Sequence, residues 1–103
     1  MATPVTVTAC DNELYIIAAQ GNINTGGWGS SELLHIKSGN NDPVNYTFNL
    51  ESVLPSGTYT LIFVGIDWGV TWNFAISVGG TSYGQSGSGG LGVVWTDTVQ
   101  VTI

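Results

Sequence analysis

Apolar and polar side chains alternate with period two along most of this chain, and no stretch shows the three-to-four spacing of an amphipathic helix. From Val44 to Glu51, Val44, Tyr46, Phe48 and Leu50 fall on one side and Asn45, Thr47, Asn49 and Glu51 on the other. That pattern predicts a strand with one dry and one wet face. Trp72, Phe74, Ile76 and Val78 alternate with Asn73, Ala75 and Ser77 in the same way, as do Val5 and Val7 with Thr6 and Thr8. Toward the C-terminus the odd positions from Leu91 to Ile103 are apolar except Asp97, and Thr96, Thr98, Gln100 and Thr102 fill the opposite side.

Leu14–Ala19, Leu33–Lys37 and Tyr59–Ile66 read as further strands of a different kind. The last has Tyr59, Leu61 and Phe63 on one face and Ile62, Val64 and Ile66 on the other, so both faces are apolar and both need cover. Turn-forming residues separate the runs at 21–31, 38–43, 55–57, 67–71 and 79–90. Strands this short at this spacing predict an all-β fold, a single-domain antiparallel β-sandwich over residues 1–103 with about seven or eight strands. A Greek-key immunoglobulin-like or jelly-roll sandwich fits, with a closed barrel as the alternative.

One segment carries a local likeness. Phe48 and Leu50 alternate after Tyr46, and Leu54, Gly57, Tyr59 and Leu61 follow; this stretch, 46–61, resembles the strand E to strand F corner of immunoglobulin-like sandwiches. The resemblance implies that the Tyr59 hydroxyl caps the corner backbone. It implies no function, because that architecture hosts many.

Composition narrows the function classes. With one Lys or Arg, seven Asp or Glu and a net charge of −6, the chain offers only Lys37 to neutralise phosphates, so neither nucleic acid nor an anionic membrane surface is an expected partner. The surface has to be built from Thr, Ser, Asn and Gly. Cys10 is alone, which leaves no intrachain disulfide and no cysteine-based metal site. No apolar run is long enough for a transmembrane helix. The opening Met-Ala-Thr-Pro is neither basic nor apolar, so no secretory leader is expected there and the compartment stays open.

Catalysis finds little to work with. His35 is the sole histidine, set between Leu34 and Ile36, and no nucleophile elbow accompanies it; carboxylates are scattered singly over different loops. The expectation is a non-enzymatic protein. The oxygen-rich segments 11–13 and 38–43 match turn chemistry better than a calcium loop, and no cofactor is expected. Asp97 interrupts an apolar row in a chain without arginine, so it must be partly wet or hydrogen-bonded; a calcium ion shared by Asp67 and Asp97 is the remote alternative.

Tryptophan is the strongest lead. Trp72 and Trp95 sit at inward strand positions, whereas Trp28 and Trp68 lie next to glycines with no local side chain to bury them, so each either folds down to plug an end of the core or stands exposed. An exposed indole stacks on the C–H face of a sugar ring, and amides and carboxylates pair with its hydroxyls. The expected site therefore comprises Trp28 and Trp68 as platforms, with Asn24, Asp67, Tyr83 and Gln85 as hydrogen-bonding partners. The expected function is lectin-like recognition of a neutral carbohydrate or glycoconjugate, presented on a homo-oligomer that covers the doubly apolar strands. The alternative is a structural module, a coat, fibre or scaffold component with no small ligand.

Overall fold

A computed structural model describes residues 2–22, 27–38, 43–69 and 71–103. Its strands are β1 (Pro4–Cys10), β2 (Glu13–Asn22), β3 (Gly27–Lys37), β4 (Pro43–Asn49), β5 (Thr58–Asp67), β6 (Thr71–Val78), β7 (Thr81–Ser88) and β8 (Gly92–Thr102), with a 3-10 turn at Leu50–Ser52. Two four-stranded antiparallel sheets form, one in the order β4-β1-β6-β7 and the other β3-β2-β5-β8. The sheets pack as a β-sandwich. Phe74 of β6 lies against Gly65 of β5 and the ring of Trp95 of β8, and Tyr83 of β7 lies 5.9 Å from Phe63 of β5, so β6 and β7 cover β5 and β8.

The core follows the alternation. Val5, Val7, Leu14, Ile16, Leu61 and Phe63 are fully buried, and an aromatic layer of Phe63, Trp72, Phe74 and Trp95 fills the half beneath β5 to β8. Glycine makes room for it: a Cβ on Gly65 would stand 2.7 Å from the Phe74 ring, and one on Gly87 would stand 2.6 Å from Trp72. Irregularities at three strands shift the parity, that of β3 falling between Glu32 and Leu34, opposite Ile17 and Ile16. The register of β1 slips between Val7 and Ala9, which turns Cys10 into the core. That of β8 slips beside Gly65 and Ile66, so Trp95 faces in while Val93 pairs with Ile66 on the outside and is 59% exposed.

Several sequence expectations shift in consequence. The stretch 79–90 does not form one long turn. Gly79 and Gly80, at φ 56° and 91°, make a two-residue hairpin between Val78 and Thr81, and β7 follows as an edge strand. Residues 27–31, expected as a turn, belong to β3. Tyr46 occupies the core-facing parity of β4 but is 47% exposed, because β4 is a sheet edge. At the connection from β4 to β5, the Tyr59 hydroxyl donates to the Pro55 carbonyl at 2.8 Å. Glu51 clamps the first strand by accepting from the Thr3 backbone N–H and hydroxyl, both at 2.7 Å.

β2 and β5, the two strands with apolar residues on both faces, pair with each other at the centre of one sheet. Their outward rows merge, Tyr15, Ile17 and Ala19 beside Ile62, Val64 and Ile66, each half-buried.

Candidate functional site

Four elements converge at one end of this outer face. The connection from β1 to β2 turns at Asn12, a non-glycine residue at φ 33°, a conformation that asparagine tolerates because its short amide bonds locally. The Asn12 side-chain oxygen accepts the backbone N–H of Trp68 at 2.7 Å, tying this turn to the connection from β5 to β6. Glu13, the first residue of β2, pairs with Lys37 of β3 and Ile66 of β5.

The Glu13 carboxylate organises the rings around it. One oxygen accepts the Trp68 indole N–H at 2.8 Å, and the other lies 2.9 Å from His35 Nε2. The His35 imidazole stacks flat on Tyr15, 3.9 Å between centroids and 11° between planes, as their cross-strand pairing allows. Hydrogen bonds from Trp68 and His35, with the Lys37 charge assisting, hold the Glu13 carboxyl below its ordinary value. Trp68 nonetheless remains 58% exposed. Its N–H edge and backbone are fixed while the rest of the ring meets solvent.

The sequence-predicted residues do not all meet here. Trp68 stands exposed on its loop rather than plugging the end of the core. Trp28 is placed by its backbone pairing with Gly21, eight positions along β2 from Glu13, or about 26 Å at strand rise. The two glycine-flanked tryptophans therefore do not belong to one site. Asn24 lies outside the described residues. Asp67 is fully buried, because it continues the inward row of Leu61, Phe63 and Gly65; one oxygen accepts the Gly69 N–H at 2.8 Å. It supports the loop beneath Trp68 and cannot face a ligand. Tyr83 and Gln85 share a face of β7 in the opposite sheet, Tyr83 half-buried against Phe63 and Gln85 exposed.

Asp97 is half-buried on edge strand β8 and accepts the Thr98 N–H at 2.8 Å, as a partly wet carboxylate should. It pairs with Phe63 whereas Asp67 pairs with Gly92, so about four residues of strand, roughly 13 Å, separate the two acids. One calcium ion cannot bind both, since its oxygens lie about 2.3–2.6 Å away. Among the described residues no group of three or more His, Cys, Asp or Glu gathers to hold a metal. Cys10 is buried, and burial, with the Asp11 and Glu13 charges, pushes its thiol up to about 12, so it stays protonated.

Glu13, Tyr15 and His35 are the residues that sequence reasoning missed. Their signal was the outward parity of Glu13 and Tyr15 on β2, but only the β2–β3 register brings His35 beside them. The hydrogen bonds described for His35 lead to a carboxylate rather than to a hydroxyl or thiol. Chemically the arrangement orients rings and offers spare carboxylate lone pairs, a phenol and an imidazole beside a stacking surface. No protein-family model, curated protein or solved structure matches this chain.

Proposed function

We propose that this protein is a non-catalytic, lectin-like module that recognises a neutral carbohydrate at Trp68 and presents that site on a homo-oligomer. The supporting observation is an exposed indole whose N–H is held by Glu13 and whose backbone is held by Asn12. An indole fixed in place loses little freedom when a sugar ring stacks on it. Glu13, Tyr15 and His35 stand within reach as hydrogen-bonding groups, and a chain with one basic side chain suits an uncharged, hydroxyl-rich ligand better than a phosphate or sulfate.

A glycan array probed with the intact protein tests this, followed by titration of any hit into Trp68→Ala. Binding should fall below detection in that variant while stability changes by less than about 1 kcal/mol, because so exposed a ring contributes little to the core. An array without a hit, or a hit indifferent to Trp68→Ala, refutes the reading. The second reading, a self-assembling structural component without a small ligand, draws on the merged apolar row on β2 and β5.

A further inference from the structure

We infer that the Trp68 site takes glycosides with an apolar aglycone, the sugar ring lying toward Glu13 and the aglycone over Val93 and Leu91. The inference rests on Trp68 as the sugar platform and names the class of conjugate that this platform takes. The end row of the β3-β2-β5-β8 sheet runs Lys37, Glu13, Ile66, Val93 across four paired strands. Its first half is charged and its second half is apolar. Trp68 follows β5 and reaches back to Glu13 through its indole N–H, so the ring borders this row.

Exposure marks the same corner. Among the described residues, the large apolar side chains that are more than half exposed are Trp68, Leu91 and Val93. Register brings them together: Val93 pairs with Ile66 and Gly92 with Asp67, and just past that last pair Trp68 follows Asp67 and Leu91 precedes Gly92. The backbone explains why they are bare. The slip beside Gly65 and Ile66 leaves Val93 outside while Trp95 goes in, and Leu91 stands between Gly90 and Gly92, which carry no side chain to cover it. Single apolar residues on a surface are ordinary, whereas a cluster of them beside a held aromatic ring marks a binding site.

The chemistry of the corner is divided. The side chains of Ile66, Val93 and Leu91 offer no hydrogen bond, so a hydroxyl set against them loses water without replacement. Glu13 and Lys37, at the other end of the row, accept from and donate to hydroxyls. Glu13 and Val93 are two strand spacings apart, about 10 Å, which leaves room for hydrocarbon beyond a single stacked sugar ring. The gain belongs to a glycoside free in water, because an aglycone anchored in a bilayer is already out of water and gains nothing by moving onto Val93.

Methyl, butyl and hexyl glycosides of glucose, galactose and mannose, titrated into the isotope-labelled chain, test this through the Trp68 indole N–H resonance, identified by its loss in Trp68→Ala. For the sugar that binds, affinity should rise about two- to fourfold per added methylene, the upper figure being the ~0.8 kcal/mol of a fully buried CH₂. The rise should vanish in the double variant Leu91→Ser with Val93→Ser, whose affinity for the methyl glycoside stays close to native. Ile17→Asp, four residues or about 13 Å along β2 from Glu13, should keep the rise. Equal affinity along the native series overturns the inference and leaves the Trp68 sugar site standing. A rise that survives in the double variant, or is lost in Ile17→Asp, places the hydrocarbon elsewhere and overturns it too. On phosphatidylcholine vesicles carrying a long-chain alkyl glycoside of the same sugar, the native chain and the double variant should bind alike; a native preference there assigns the corner to lipid and overturns the soluble ligand. If no glycoside binds, Trp68 is not a sugar platform, and the inference falls together with the proposed function.

Discussion

Glu13 binds two aromatic groups through a single carboxylate, and the effect is sensitive to its charge. Hydrogen bonds from Trp68 and then His35 lower its folded value, so the stabilisation it provides is present above the ordinary glutamate range. It is lost as pH falls through that lowered folded value. Glu51 is lowered in the same direction by the Thr3 hydroxyl and N–H, so whole-protein stability mixes the two acids. Trp68 fluorescence separates them, since only Glu13 touches that indole. With Trp68→Phe as the blank, the difference emission should stay constant from neutral pH down to the ordinary glutamate range, then change once Glu13 is protonated. Glu13→Gln should abolish that acid step. An unaltered step in the glutamine variant would assign it to another group.

Among the elements, β7 shows where a strand escapes its own sequence. Its residues are Thr, Ser, Gly and Gln around Tyr83, and seven of its eight positions are exposed, so no apolar alternation exists to reveal it. Its strand pairing is with β6, at a sheet edge, and Tyr83 packs on the core beside Phe63. The pairing leaves no space at Gly84, where a Cβ would stand 2.2 Å from the Phe74 carbonyl oxygen, a backbone atom that cannot move aside. Gly84→Ala should therefore cost about 1–3 kcal/mol as an overpacking change and raise amide hydrogen exchange along β7 before the rest of the sheet. Uniform exchange across both sheets would contradict an edge strand held in this way. The alternating strands, by contrast, were legible: β6 buries Trp72, Phe74, Ile76 and Val78, and β4 and β8 turn half-buried apolar residues such as Phe48 and Val99 toward the core, so the core imposes the period two that sequence records. The Gly79-Gly80 hairpin also had its sign in the chain, two adjacent glycines between Val78 and Thr81, concealed by the ten residues of similar composition that follow. The site was half legible. The neighbouring Gly69 left the exposure of Trp68 open, but Tyr15 and His35 meet through a β2–β3 register that no local pattern fixes, and Asp67 was misplaced because it sits one step past the inward row of β5, where parity buries it.

For the whole molecule, the proposed function would give the apolar face and the Trp68 rim separate duties. A homo-oligomer formed over the apolar row of β2 and β5, as proposed, would carry one Trp68 per copy, so weak sites would act together on one multivalent surface. Linked sites raise the effective concentration for the second contact and can strengthen attachment about 10²–10⁴-fold with no new contact. A monomer with an intact rim, such as Ile17→Asp, should keep native affinity for a soluble monovalent sugar while losing that factor on a surface densely coated with the same sugar. Trp68→Ala should do the reverse, assembling normally and binding neither. Surface plasmon resonance at high and low ligand density, run with both variants, distinguishes these outcomes. If Ile17→Asp dissociates from the dense surface as slowly as the native chain, pairing contributes nothing to attachment, and the apolar face serves assembly without serving recognition.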